Sequence, residues 1–346
     1  MKILTPKFRI QVEGAATVFP KNAVVTNFDL LKNHPESKDK PEALLQELAE
    51  RIHRAYGFRS RHMIRKPWSQ ALPHDQEESS ESLCAEAVGQ ILAKKPKYKP
   101  EAFLLGTTTT RRYTGSQATS VLGKFSLEAP AYELKAGCST SLASLHLAFL
   151  LMHQYDRVLV ACAETLSKVV HPDVRETWFG LGDGGAALAL RRVKTGGDFC
   201  IEKQFYSTDG RYVDLYTTPG NLPPHPETLK RADFALVGDA SELKDRAKVR
   251  YKEMIRKMLP KKELQSIQWI IPHQVNRLLT DEVVKETGIS GEILWDSDQI
   301  GNIGGASVLY TLSKAIQEKR FRKGDRIFFM SVGGGLSFAT QLWKKL

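Results

Sequence analysis

A chain of 346 residues, 42% of them hydrophobic and 26% charged, has room for two ordinary domains or one large α/β unit. No apolar run approaches the length a membrane span needs, and the start, MKILTPKFRIQVEG, has neither a sustained apolar core nor a small-residue cleavage site, so a membrane segment and a secretory signal are not expected. The formal net charge of +11 favours acidic partners, yet no zinc-finger spacing, aromatic RNA-binding signature or DNA-recognition motif accompanies it, which leaves an acidic protein or a phosphorylated cofactor as the better match.

The elements follow in order. Residues 8–18 alternate loosely and predict a first strand ending near Pro20. Residues 41–56 carry Leu44, Leu45, Leu48 and Ile52 at helical spacing, and Gly57 ends that helix. Arg59, Arg61, His62, Arg65 and Lys66 form a basic loop, read as a solvated charge run. Residues 66–78 are polar and bear two prolines, a surface excursion. A helix over 79–93 takes its cap from Ser79–Ser82. An apolar strand at 102–105 runs into Gly106 and four threonines, and residues 111–123 turn from polar to helical.

The stretch 131–156, AYELKAGCSTSLASLHLAFLLMHQYD, reads as strand, tight turn, cysteine and long helix. Leu142, Leu145, Phe149 and Met152 recur at helical spacing while Leu147, Leu150 and Leu151 fill other faces, so the helix is buried. Cys138 therefore stands at the N-terminus of a buried helix. Unpaired N–H groups and the helix dipole there favour a thiolate, the mark of a cysteine nucleophile. The competing reading is a buried packing cysteine. Cys84, Cys162 and Cys200 read as packing residues. Four separated cysteines without paired metal-ligand spacing point to a reduced, cytoplasmic protein without bound metal.

Further strands are expected at 157–162, after Asp183–Gly184–Gly185, and at 199–205; residues 217–234 read as an irregular loop. A strongly basic helix spans 241–259. A strand at 268–271 ends at Pro272 with His273 just beyond it, and a helix covers 274–286. A strand at 293–295, a helix at 307–320 after a glycine-rich turn, and a long strand at 326–332 broken by Gly333, Gly334 and Gly335 close the chain. Strands alternating with helices argue for α/β layers, with a weak echo between two halves.

Three islands carry the chemistry: AGCSTSL (136–142), IIPHQVN (270–276) and IGNIGGAS (300–307). In this order they resemble the Cys–His–Asn set of the thiolase-fold condensing enzymes, nearest to β-ketoacyl-acyl-carrier-protein synthase III. GFRSRHMIR (57–65), VRETWFGLGDGGAALAL (174–190), STDGRYVDLYTTPGN (207–221) and SVGGGLSF (331–338) are similar to further motifs of that family. The resemblance implies a five-layered αβαβα sandwich of two similar halves, here 1–177 with the cysteine and 178–346 with the histidine and asparagine, usually as a homodimer. It implies Cys138 as nucleophile and His273 and Asn302 as one oxyanion hole. The backbone N–H of Cys138 and of Gly334 or Gly335 would form a second. No permanently bound cofactor is implied: acyl-coenzyme A or acyl-carrier protein, and malonyl-carrier protein, are substrates.

By the same resemblance Tyr113 would gate the acyl pocket and Arg175 would line the cofactor entrance, while an ordinary packing tyrosine remains open for the first. Arg246, Lys248, Arg250, Lys252, Arg256 and Lys257 would dock the acidic carrier protein, a solvated basic helix being the alternative. The chain departs from the family where a tryptophan normally stacks on coenzyme A: Arg51 stands near that place, and Ala55 near an expected arginine. The form CSTSL is closer to elongating and polyketide synthases. The expected reaction is decarboxylating condensation of a Cys-bound acyl group with malonyl-carrier protein in fatty-acid or polyketide-type biosynthesis. O- or N-acyl transfer, non-decarboxylative condensation in specialised metabolism, and a non-catalytic partner subunit are the alternatives.

Overall fold

Apolar strands separated by helices form the same pattern twice in the computed structural model, which describes residues 2–21, 24–69, 77–112, 114–220 and 234–346. The first part holds β1 (Arg9–Val18), β2 (Val24–Thr26), α1 (Asn27–Asn33), α2 (Glu42–Tyr56), β3 (Ser60–His62), α3 (Ser80–Lys94), β4 (Ala102–Gly106), α4 (Gln117–Lys124), β5 (Ala131–Leu134), α5 (Thr140–Leu151), β6 (Arg157–Thr165), α6 (Arg175–Gly180) and β7 (Asp183–Val193). The second holds β8 (Phe199–Tyr212), β9 (Tyr216–Thr217), β10 (Val237–Gly238), α7 (Ala240–Met258), β11 (Trp269–Pro272), α8 (Arg277–Thr287), β12 (Glu292–Ile293), α9 (Ser297–Ile300), α10 (Ser307–Gln317), β13 (Arg326–Gly333) and β14 (Gly335–Lys345).

The main sheet runs β12-β11-β13-β14-β8-β1-β7-β6-β4-β5. Its two ends have one topology. In the first, β4 is parallel to β5 and β6, while β7 is antiparallel to β6 and β1. In the second, β11 is parallel to β12 and β13, while β14 is antiparallel to β13 and β8. Antiparallel pairing of Arg9 with Cys200 and of Ile10 with Phe199 joins them. β7, which follows the expected division at 177/178, hydrogen-bonds along β6 and β1.

Alternation along the strands builds the layers. Phe103, Leu105, Leu159 and Ala161 pack outward against Leu83, Val88 and Ile91 of α3. Leu104, Val158, Val160 and Cys162 point the other way, onto Leu142, Leu145 and Phe149 of α5. From the second half Ile327 and Phe329 meet the same central layer, with Leu309 and Leu312 of α10. Phe328 and Met330 face Tyr251 and Ile255 of α7 and Val283 of α8. The result is the αβαβα sandwich, with α5 and α10 between the two ends of the sheet. A helix in the middle must be apolar all round, as α5 is.

Local signals read from the sequence hold at several ends. Gly57 closes α2 with φ +83°, its N–H donating to the His53 carbonyl. Ser79 and Ser82 form a reciprocal cap on α3, with Ser79 N–H to Ser82 Oγ at 2.8 Å. The basic loop is the main local correction. Arg61 lies in β3 and is fully buried; its guanidinium donates to Asn27 Oδ1 at 2.7 Å and to the Phe179 carbonyl, and burial lowers its pKa to about 9. The loops read at 66–78 and 217–234 fall largely outside the described residues.

Candidate active site

Cys138 is placed by a turn that only glycine takes without strain. After β5 the chain reverses at Gly137, φ +54°, through a single 3-10 turn, Gly137–Ser139, into α5. A Cβ at Gly137 would stand 3.0 Å from the Gly334 carbonyl oxygen, so the turn lies against the glycine loop of the other half. Ser139 Oγ donates to the Ser337 carbonyl at 3.1 Å, and Ser337 Oγ donates to the Ala136 carbonyl at 2.6 Å. These reciprocal bonds clamp β14 to the cysteine turn. The backbone N–H groups of Gly334 and of Cys138 itself draw the thiol's pKa down.

The expected thiolate does not follow from this geometry. Burial pushes the Cys138 thiol up to about 12, and the negative charge of Glu164 adds to the effect, against the two backbone N–H groups. The helix-terminus effect amounts to roughly 0.3–1 kcal/mol, whereas desolvation of a charged group can move a pKa by several units. The desolvation wins, and the resting nucleophile is a thiol. Alkylation of Cys138 by iodoacetamide is accordingly expected to accelerate with every pH step from 6 to 9; a plateau below pH 8 would contradict this assignment.

His273 follows β11, whose last residue, Pro272, pairs with Met330 of β13. Its N–H donates to the Met330 carbonyl at 2.8 Å and its side chain is 2% exposed. Nδ1 lies 2.9 Å from Ser307 Oγ. No carboxylate is paired with it among the described residues, and burial lowers its pKa to about 4. The imidazole is neutral at pH 7. Asn302 follows Gly301, φ +65°, where a Cβ would press 2.8 Å from that of Arg61. Its backbone is held by the first half on both sides, N–H to the Gly180 carbonyl at 2.8 Å and carbonyl from the Gly182 N–H at 3.0 Å. Gly304 N–H donates to Asn302 Oδ1 at 2.8 Å, which turns the amide NH₂ away from that loop and leaves it free to donate.

The two turns touch. A Cβ on Gly305 would stand 2.7 Å from Thr140 Cβ and 2.8 Å from the Gly137 carbonyl oxygen. Ser141 Oγ donates to the Gly305 carbonyl and accepts from the Leu309 N–H at 3.2 Å. In each half a 3-10 turn, Gly137–Ser139 or Gly304–Ala306, leads into the central helix, α5 or α10. The cysteine and asparagine turns thus meet where these helices begin, and Ser307 at the start of α10 holds His273.

Two parts of the site escaped the sequence reading. Glu164, at the end of β6, is fully buried beneath the turns. It accepts from Thr108 N–H at 3.0 Å, from Thr109 N–H at 3.1 Å, and from the hydroxyls of Thr107, Thr108 and Thr109 at 3.3, 2.9 and 2.8 Å. Burial nevertheless pushes its carboxyl up to about 7. The threonine run was the visible signal; its acceptor was one acidic residue ending an apolar strand. Ser307 had no signal beyond its place in IGNIGGAS.

The outer candidates fare differently. Tyr113 lies outside the described residues. Arg175 is exposed and pairs with Glu36 at 2.9 Å, its guanidinium 5.7 Å from the Phe179 ring centre. Arg51 pairs with Glu47 at 2.5 Å. Four of the six basic residues expected to dock a partner are already neutralised. Arg246 pairs with Glu242, Lys248 with Glu282 and Glu286, Arg250 with Asp209 and Glu253, and Lys252 with Glu286. Arg256 and Lys257 are exposed without an ion pair among the described residues. The Met258 carbonyl, beside them at the end of α7, accepts from Lys203, roughly 30 Å along β8 from Tyr212, which pairs with Gly335.

Comparison with known proteins agrees with this fold. Residues 132–210 match the family described as 3-oxoacyl-[acyl-carrier-protein] synthase III, and residues 260–345 match its C-terminal domain. The β-ketoacyl-[acyl-carrier-protein] synthase III of Desulfitobacterium hafniense is 27% identical over 97% of this chain and 98% of its own. The crystal structure of 3-oxoacyl-(acyl carrier protein) synthase III from Pseudomonas aeruginosa superposes with a TM-score of 0.80 at 21% identity, covering 97% of this chain and 98% of that one. The priming β-ketosynthase of the R1128 polyketide pathway gives 0.79 at 19% identity, over 99% and 98%. A cysteine and an asparagine turn meeting at two central helices, in a chain similar to these proteins from end to end, make it a thiolase-fold condensing enzyme resembling β-ketoacyl-acyl-carrier-protein synthase III.

Proposed function

We propose that the chain is a decarboxylating β-ketoacyl synthase that joins a Cys138-bound acyl group to malonyl-carrier protein. The observation that carries this reading is that the turns bearing Cys138 and Asn302 touch at the starts of α5 and α10, while Ser307, at the start of α10, holds a neutral His273. In the first step the Cys138 sulfur bonds to the acyl carbonyl carbon, the donor thioester bond breaks, and the thiol proton ends on the departing thiol. The N–H groups of Cys138 and Gly334 hold the oxyanion formed on the way. In the second, the malonyl carboxylate leaves as carbon dioxide and its electron pair becomes an enolate. That enolate attacks the acyl carbon, the Cys138–acyl bond breaks, and one proton restores the thiol. Neutral His273 and the Asn302 amide donate to the enolate oxygen; a charged imidazolium is not required. No resident cofactor enters either step, and the enzyme works in the cytoplasm.

The donor and the assembly belong to the same proposal. Arg51 and Ala55 offer no ring for an adenine to stack on, which favours acyl-carrier protein over coenzyme A as donor. Docking of the carrier protein on the basic face of α7, through Arg246, Lys248, Arg250, Lys252, Arg256 and Lys257, belongs to the same reading. Among the described residues β5 has a neighbour, β4, on one side only and leaves Tyr132 exposed, an edge that suits pairing with a second copy in a homodimer. The halves divided after Val193 are the units of the repeat.

Intact-protein mass spectrometry tests the reaction. Wild type mixed with acyl-coenzyme A and acyl-carrier-protein donors is expected to gain one acyl mass, largest with carrier-bound donors, and Cys138→Ala to gain none. Absence of any adduct on folded wild type would mark a non-catalytic partner subunit instead.

A further inference from the structure

We propose that Ser307 is a positioning residue for His273: its hydroxyl donates a hydrogen bond to Nδ1 and so holds the imidazole as the tautomer that carries its proton on Nε2. The inference deepens the reading of His273 as an enolate donor and rests on it. The bond itself is 2.9 Å long between two side chains that are 2% and 1% exposed. Its direction decides the chemistry. If Nδ1–H donated to Ser307, Nε2 would offer a lone pair to the site, and His273 could only accept a proton there. If Ser307 donates, Nε2–H is a hydrogen-bond donor and His273 matches the Asn302 amide in kind.

Three observations favour donation by Ser307. Among the described residues Nδ1 is the only partner of Ser307 Oγ, so the opposite direction would bury a hydroxyl proton with no acceptor. The N-cap of α10 is Ala306, one residue earlier, so the Ser307 hydroxyl is not drawn into capping the helix. Nε2 is not among the fully buried polar atoms left without a partner, unlike Nδ1 of His62 and of His146, so it stays open to a hydrogen-bond acceptor. The same turn that carries Asn302 therefore also sets the proton on His273, although Ser307 itself touches no reacting atom.

Nitrogen-15 NMR of the full chain labelled in its nine histidines reads the tautomer directly, with His273→Gln supplying the assignment. The wild-type signal is expected to show Nε2 protonated and Nδ1 bare, and Ser307→Ala to shift it toward a mixture. In single-turnover reactions Ser307→Ala is expected to slow condensation about 10- to 100-fold, below the loss for deleting an oxyanion donor outright. Cys138 acylation should change less than about threefold, because its oxyanion donors are the Cys138 and Gly334 N–H groups. Ser307→Thr keeps the hydroxyl and is expected to restore both the tautomer and the rate. A protonated Nδ1 in wild type overturns the proposal, as does Ser307→Ala with an unchanged tautomer. If wild type forms no condensation product, the function proposed above fails, while the NMR spectrum still decides the role of Ser307.

Discussion

Asn302→Ala is expected to condense about 100- to 1000-fold more slowly than wild type while forming its acyl-enzyme at nearly the wild-type rate. The asymmetry follows from where the donors sit. In the proposed reaction acylation builds negative charge at an oxygen facing the Cys138 and Gly334 N–H groups, and Asn302 is not one of its donors. Decarboxylation builds charge on the enolate oxygen, and there the amide is pre-aimed: Gly304 holds its oxygen, and Gly180 and Gly182 hold its backbone. In an enclosed site a donor fixed in advance reorganises nothing when charge develops, so its loss is felt almost fully in the barrier. His273→Ala is expected to fall in the same range. The double variant should lose less than the product of the two, since both donors serve one oxygen. Because His273 is neutral down to about pH 4, wild-type condensation should show no histidine inflection between pH 5 and 8. The measurement is a rapid-quench single turnover on pre-acylated enzyme. Equal damage to acylation and condensation would remove Asn302 from the proposed role.

Cys138, His273 and Asn302 were legible because each follows a strand or short turn whose glycines and prolines interrupt an apolar pattern. Such interruptions are local, and a sequence displays them. Tertiary environment is not displayed in this way. Arg61 looks like one charge in a solvated basic run, yet its Cβ lies against Gly182 and Gly301 and its guanidinium is spent on Asn27 and Phe179. The cations of α7 look like an open positive face, but beside Glu242 and Glu253 on the same helix they pair with Asp209 on β8 and with Glu282 and Glu286 on α8, far along the chain. The thiol of Cys138 was expected to be acidic from its place on a helix. Whether desolvation or dipole dominates depends on what covers the sulfur, and Glu164 and the second half of the chain supply that cover. The shared order of the two sheet ends was likewise faint in the residues, since strands conserve burial periodicity rather than particular side chains, and only pairing sets β7 beside β6.

Gly305→Ala is expected to leave a folded protein that has lost condensation activity by about 100-fold, a loss of the size that a 1 Å misplacement of reacting groups produces. The added methyl would lie 2.7 Å from Thr140 Cβ, 2.8 Å from the Gly137 carbonyl oxygen and 2.9 Å from Glu164 Oε1. None of these is the loose end of a flexible side chain: Glu164 is tied down by three threonines, and Gly137 belongs to the turn that carries Cys138. The turns must therefore separate. Overpacking of a well-filled interior costs about 1–3 kcal/mol, which a chain of this size can absorb, but the separation moves the Asn302 turn directly away from the nucleophile. Gly123→Ala, where a new Cβ meets nothing within 4 Å, is the control and should change neither property. Thermal unfolding read beside the acylation and condensation rates decides the matter. A Gly305→Ala enzyme with wild-type condensation would show that the contact between the two turns does not set the distance on which the reaction depends.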